Sequence, residues 1–191
     1  MQITSVTQVL NQHGLAPPPL RVLAPNHENY TALLLQPQGD IEADSDGVRN
    51  ADRDRAKKQF GAFVDDAIKL NADLAVTPEY SMPWEVLESA LTQGQTPSLG
   101  SLWVLGCESI TFDQIMELRQ RIEPNAKLIC EDLNGETERF VDPVAYVFST
   151  RALEGDADAR IVVLVQFKTC PMGDDGHFEI NGLQTGTRLY Y

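Results

Sequence analysis

Two charged side chains in this sequence stand where an apolar strand ends. Glu79 follows Leu74-Ala75-Val76-Thr77-Pro78, and Lys168 follows Ile161-Val162-Val163-Leu164-Val165-Gln166-Phe167. In layered α/β folds, ligands and chemistry collect at the C-terminal ends of strands. Taken singly, each also fits a plainer description: a surface glutamate in a turn, a solvated lysine at a strand end. The third kind of reactive group is the thiol. Cys107 and Cys130 end or lie in apolar strands and read as small core residues, the usual fate of a free cysteine. Cys170 lies two residues past Lys168. A shared electropositive pocket would lower its thiol pKa and make it more reactive.

The elements that must hold these groups follow from periodicity. Residues 31–36 are continuously apolar up to Gln36, as expected of a strand buried on both faces. Residues 37–50 are polar and acidic, with two glycines, and read as a long loop. A helix follows over 51–70, with Phe60, Phe63, Val64, Ala67 and Ile68 on one face and Asp52 and Asp54 suiting its dipole. The strand over 73–77 completes a βαβ unit and stops at Pro78, which lacks a backbone donor. Pro83 is placed to open a helix at 84–91. A strand over 102–107 comes next. Thr111 is an N-cap for a helix over 112–122, and residues 127–130 form a short strand. Residues 131–139 and 173–177 read as a loop and a turn. Residues 141–149 and 160–169 read as a hairpin, joined through 152–156. Upstream, residues 3–13 suit a short helix, and Pro17-Pro18-Pro19 imposes an extended segment. This arm, residues 1–29, either straps the domain or docks elsewhere.

Bulk properties narrow the function classes. The 191 residues suit one domain, assigned to residues 30–191, at 42% hydrophobic and 23% charged. A formal net charge of -13 leaves no basic face for a phosphate backbone, which argues against nucleic acid as a partner. No apolar run approaches the roughly 18 residues of a membrane span. An odd cysteine count without tight spacing fits reduced thiols in a cytoplasmic protein. The scattered His13, His27 and His177 and the lack of a CxxC argue against zinc, and no cofactor is expected.

The order of these features resembles the carbon–nitrogen hydrolases of the nitrilase superfamily. The resemblance runs over roughly residues 30–191. It rests on the strand ending Pro78-Glu79, the strand ending Gly106-Cys107-Glu108-Ser109, the segment Asp142-Pro143-Val144-Ala145-Tyr146, the strand presenting Lys168, and Glu179 beyond it. It implies an α/β fold of α-β-β-α sandwich type, incomplete here and carrying an N-terminal arm. It also implies a Glu-Lys-Cys triad acting on a small-molecule amide or nitrile. Carried over by position, Glu79 is the base, Lys168 the oxyanion donor, and Glu179 the second glutamate that positions lysine and substrate. A glutamate walled in by apolar strands would have a raised pKa suited to that task.

The departures are specific. In the family the nucleophilic cysteine sits on a strand-to-helix elbow well past the lysine, a position beyond Tyr191. Asp142-Pro143 stands where the family has asparagine, and Phe167 where a basic residue is common. The expectation is therefore a hydrolase whose cysteine and remaining sandwich strands come from outside these 191 residues. The alternative is a non-catalytic module, a scaffold or regulatory subunit of the same fold. Either leaves an apolar sheet face for the rest of the domain or another chain to cover, and the family's habit of pairing implies a homo-oligomer.

Overall fold

The computed structural model describes residues 1–24, 29–133, 139–154, 159–173 and 177–191. His27 and parts of three expected connections, at 134–138, 155–156 and 174–176, lie outside them. In chain order the elements are β1 (Gln2–Thr4), α1 (Val6–Gln12), a 3-10 turn (Arg21–Leu23), β2 (Ala32–Leu34), β3 (Ile41–Asp44) and β4 (Gly47–Asn50). Next come α2 (Arg53–Lys69), β5 (Leu74–Met82), α3 (Trp84–Thr92), β6 (Leu102–Cys107), β7 (Ile110–Thr111), α4 (Phe112–Ile122) and β8 (Ala126–Ile129). The chain finishes with β9 (Phe140–Val141), β10 (Pro143–Arg151), β11 (Ala159–Phe167), α5 (Phe178–Gly182) and β12 (Arg188–Tyr190).

The fold is mixed α/β around a six-stranded sheet of order β2-β5-β6-β10-β11-β8. The five strands expected to share a sheet do so, and β8 joins them at one edge. The pairings are parallel for β2–β5, β5–β6 and β11–β8, and antiparallel where β10 meets β6 and β11. Only β10 therefore runs against the others. β10 and β11 follow each other closely in the chain, whereas parallel neighbours need a crossover of a dozen or more residues.

Three helices pack on one face. Asp52 caps α2 by accepting from the Arg55 N–H at 3.0 Å, and Phe60, Phe63, Val64 and Ala67 are buried. Ile68, expected on that stripe, lies at its edge and is 40% exposed. Thr111 opens α4 with a full capping box. Pro83 is the N-cap of α3, which starts at Trp84 as expected and runs one residue further, to Thr92. These helices cover Ala75, Trp103, Leu105, Ala145, Val147, Val163 and Val165 of the sheet.

The opposite face is covered on one side only. Val9, Leu10 and Leu15 pack on Ile129, Phe148, Val162 and Leu164, so the arm straps across the sheet. The helix expected over 3–13 begins at Val6; Gln2–Thr4 instead form a strand parallel to β12. The strand-like residues 187–191 thus find their partner at the other end of the chain. Arg21 fastens the arm further, donating to Asp73, to the Leu99 carbonyl at 3.1 Å and to Ser101 Oγ at 3.0 Å. The other half of this face remains open. Register places Leu34, Val76, Val104 and Tyr146 in one row across four strands, and Leu34 is 69% exposed.

One further expectation is corrected. Residues 37–50 contain the β3–β4 hairpin, turning at Ser45-Asp46 before Gly47 at φ +122°. Polar side chains hide such a strand pair from an apolar pattern. Just past the turn expected at 173–177, Phe178–Gly182 form the short helix α5.

Candidate functional site

Pro78 does not end its strand. β5 runs on to Met82, and its pairing with β6 slips between Thr77 and Met82. The slip is a bulge that Pro78 starts, because it cannot donate to the ladder. Tyr80 completes it at φ +59°, in the left-handed region. Gly106 on β6 makes room: a Cβ there would lie 2.2 Å from the Pro78 carbonyl oxygen and 2.6 Å from Glu79 Cα. Ser81 Oγ closes the bulge by donating to the Pro78 carbonyl at 2.7 Å. The bulge turns the side chains of Glu79 and Tyr80 towards Lys168.

Lys168 is anchored by its backbone. Its N–H donates to the Asp142 carbonyl at 2.8 Å, and its own carbonyl accepts from Gly186 N–H at 2.8 Å. Its Nζ lies 2.9 Å from Glu179 Oε1, 2.5 Å from Tyr80 Oη and 4.0 Å from Glu79 Oε1. The three residues singled out in the sequence, Glu79, Lys168 and Glu179, therefore meet at one point. The Lys168 ammonium also sits 5.2 Å from the Tyr80 ring centroid, within cation–π range.

The two glutamates differ in a way opposite to expectation. The Glu79 side chain is 60% exposed and is not walled in; the bulge carries it to the rim. Glu179 is the buried one, with its side chain fully enclosed. Its Oε2 accepts from the Met172 N–H at 2.6 Å, and Oε1 accepts from Tyr80 at 3.2 Å as well as from Lys168. Burial raises its carboxyl, but the hydrogen bonds from Lys168, Met172 and Tyr80 outweigh burial and hold it below the ordinary carboxylate range. Glu179 is therefore the fixed counter-charge that holds the ammonium in place. His177, read as a surface turn residue, caps α5 instead: its Nδ1 accepts from the Glu179 N–H at 3.4 Å.

Three residues of the site were not assigned a role from the sequence. Tyr80 bridges lysine and buried glutamate. Burial, followed by the charges of Asp142, Glu79 and Glu179, raises its phenol far above the ordinary value and keeps it neutral. Asp142, at the mouth of β10, is 5% exposed. Its Oδ1 accepts from Ser109 Oγ at 2.5 Å, and Ser109 Oγ accepts from the Val48 N–H at 2.7 Å. Burial pushes the Asp142 carboxyl up to about 6 against the Ser109 hydrogen bond. Glu179 and Glu79 add to the rise and Lys168 opposes it. The available signal was the Pro78/Gly106 pair, since a strand proline facing a strand glycine marks a bulge that re-aims side chains.

Glu79, Tyr80, Asp142, Pro143, Val144, Gln166, Phe167, Lys168 and Thr169 enclose an open cleft of about 220 Å³. No cysteine lines it. Cys107 is buried in the core, Cys130 is half-buried, and Cys170 is exposed, its Sγ 3.6 Å from the Pro171 carbonyl. Burial drives the Cys107 thiol far above its usual range and the Cys130 thiol up to about 12. Comparison with protein-family models, curated proteins and solved structures finds no match for this chain. Among the described residues, no helix is long and apolar enough to cross a membrane.

Proposed function

We propose that this chain carries the base and oxyanion half of a nitrilase-type carbon–nitrogen hydrolase site acting on a small amide or nitrile. The observation that carries the reading is a lysine ammonium held 2.9 Å from a buried glutamate and 4.0 Å from an exposed one at the rim of a cleft. Glu79 is the proton acceptor: it is exposed to incoming groups and near a cation. Lys168 stabilises the oxygen that gains charge when the carbon is attacked. Such charge stabilisation by a fixed donor is worth a factor of about 10²–10³ in kcat. Glu179 and Tyr80 hold the lysine still, so its orientation is set before reaction rather than during it.

The attacking thiol comes from outside these 191 residues. Cys107 is buried and Cys130 half-buried, burial raises both thiols, and none of the three cysteines lines the cleft. The open half of the sheet, with Leu34, Val76 and Val104, is the surface on which the second layer of an α-β-β-α sandwich packs. A second reading, a non-catalytic scaffold of the same fold, is favoured by the missing thiol. In that case the lysine and its glutamates form a structural ion cluster.

The test is an assay of amide and nitrile turnover by the 191-residue chain and by a polypeptide extended beyond Tyr191 by about a hundred residues, the length that completes an ordinary domain. Turnover in the longer protein alone, lost on Lys168→Met, is the expected result. Turnover by the short chain that vanishes on Cys170→Ala overturns the assignment of the nucleophile. Silence in both favours the scaffold.

A further inference from the structure

Glu131 is a buried carboxylate, 4% exposed, that lies just past β8 and outside the cleft. Its Oε1 accepts from the Thr187 N–H at 3.0 Å and from the Arg188 N–H at 3.3 Å. Its Oε2 accepts from the same Thr187 N–H at 3.0 Å and from Thr187 Oγ1 at 2.7 Å. A carboxylate offers two acceptor oxygens and no donor, so it suits this cluster of donors where the equally large glutamine does not. The segment it grips begins beside Lys168. The Gly186 N–H donates to the Lys168 carbonyl at 2.8 Å. A Cβ on Gly186 would stand 2.6 Å from Glu131 Oε1 and 2.9 Å from Phe167 Cβ. Glu131, Gly186 and the backbone leading into Lys168 are therefore packed against one another. Lys168 itself lies one residue past β11, beyond the ladder. Its backbone is held by two hydrogen bonds, one to the Asp142 carbonyl and one from Gly186.

We propose that Glu131 is a positioning residue for Lys168: it fixes the 186–188 segment, whose Gly186 N–H fixes the lysine backbone, and so sets where the ammonium stands in the cleft. This rests on the hydrolase-type reading of the cleft and deepens it. The lysine stem is long and flexible, so a small turn at its base moves the tip further. Glu179 and Tyr80 hold the tip, and they meet it only when the base is in place. A donor aimed at developing charge has to stand within about 0.5 Å of its productive position. A displacement of about 1 Å costs on the order of 10²-fold in rate. The segment has two other anchors. The Gln184 N–H donates to the Phe140 carbonyl at 2.7 Å, and the Gln2 N–H donates to the Thr187 carbonyl at 2.6 Å. Neither bears on Gly186 directly, whereas the Glu131 carboxylate packs against it.

The experiment follows the Lys168 ammonium of the 191-residue chain by NMR with isotopically labelled lysine, the signal being assigned by its loss in Lys168→Met. With base and tip both fixed, the wild-type ammonium should exchange its protons at least about tenfold more slowly than an exposed lysine, the effect of one hydrogen bond to a charged group. Glu131→Ala should remove that protection. Glu131→Gln keeps the shape and one acceptor oxygen and should lose only part of it. Gly186→Ala presses a methyl group on Glu131 and Phe167 and should reproduce the loss with Glu131 still present. If Glu131→Ala does not fold, the other two variants decide. An unprotected ammonium in the wild type overturns the proposal. So does an ammonium that stays protected while the Thr187 and Arg188 amide shifts move, because Glu131 then pins β12 alone. The hydrolase reading is tested separately, in the polypeptide extended beyond Tyr191. There Glu131→Ala should lower kcat and leave KM little changed, since the lysine acts on charge that appears only in the transition state. An unchanged kcat overturns the positioning role. Turnover that survives Lys168→Met sinks the hydrolase reading, whatever Glu131 does to the ammonium.

Discussion

Gly106 on β6 lies directly beneath the Pro78–Glu79 peptide of β5, so close that a Cβ would stand 2.2 Å from the Pro78 carbonyl oxygen. That contact sets the path of the bulge, and the bulge sets the direction of Glu79 and Tyr80. The site is thus built on a backbone irregularity that two residues on neighbouring strands specify together.

Gly106→Ala should push the two strands apart at this point. Overpacking of this kind costs about 1–3 kcal/mol, so the urea midpoint should fall. The larger effect is geometric: the Glu79 carboxylate should leave the neighbourhood of Lys168, read as a change in the Glu79 side-chain carbon shift. A variant with unchanged stability and unchanged shift shows that the bulge does not depend on the glycine.

Glu179 should matter more than Glu79 for stability. Removing one partner of a buried pair strands the other charge. Here Lys168 keeps 18% side-chain exposure, so Glu179→Ala should cost about 2–4 kcal/mol. Glu79→Ala, at a 60% exposed side chain, should cost less than about 1 kcal/mol. The Glu179 carboxyl is held below its ordinary 4.5 in the folded protein. Folding therefore favours its charged form, and this contribution is complete above about pH 4.5 and lost as pH falls through the folded value. Urea unfolding between pH 6 and pH 3 should show a steeper acid loss in the wild type than in Glu179→Gln. Parallel curves would sink the assignment.

The sheet was legible because its strands are continuously apolar and its helices amphipathic; α2 and α4 could be placed, with the Thr111 cap, from periodicity alone. The meeting of Glu79 and Lys168 was legible because each follows an apolar strand, whereas Glu179 reaches them from the short helix α5. What the pattern concealed was polar. The β3–β4 hairpin carries acidic residues that look like loop. The bulge keeps β5 running past a proline. Glu179 is held by hydrogen bonds from the Met172 N–H, Lys168 and the distant Tyr80, none of which an apolar pattern reveals. Asp142 stood out only as a departure, and its environment depends on Ser109, which is distant in sequence.

The thiols should be separable by a single labelling experiment. Cys107 is buried and Cys130 is half-buried, its thiol pushed up to about 12 by burial. Only Cys170 is exposed. Iodoacetamide at pH 7.5 should add one label to the native chain, mapped to Cys170 by peptide mass, and none to Cys170→Ser, because the reactive species is the accessible thiolate. Two or more labels on the native protein would contradict the burial described here.

The arm should contribute to the stability of the domain. Leu10 is fully buried between the arm and the sheet. Leu10→Ala removes side-chain packing and leaves a cavity, at a cost of about 2–4 kcal/mol. A thermal unfolding midpoint unchanged within error would mean that α1 does not stay seated on β8, β10 and β11 in solution.

Asp142 gives the sharpest pH test of the site. Its carboxyl moves from an ordinary 3.8 to about 6 in the folded protein, so folding disfavours its charged form. Between those two values the folded chain binds more protons at this group than the unfolded chain does. The contribution of Asp142 therefore becomes more favourable as pH falls from above 6 toward 4, the reverse of Glu179. A gap of about two units at 1.36 kcal/mol each sets the penalty at neutral pH near 3 kcal/mol. Asp142→Asn removes the charge while keeping the shape and an oxygen for Ser109. It should be more stable than the wild type at pH 7.5, by up to about 3 kcal/mol, and the advantage should vanish near pH 4. Subtracting the two stability curves isolates this group, since Glu179 and the other carboxylates are common to both proteins. A difference that stays constant with pH, or a variant less stable at pH 7.5, would show that Oδ2 already has a partner in the folded protein.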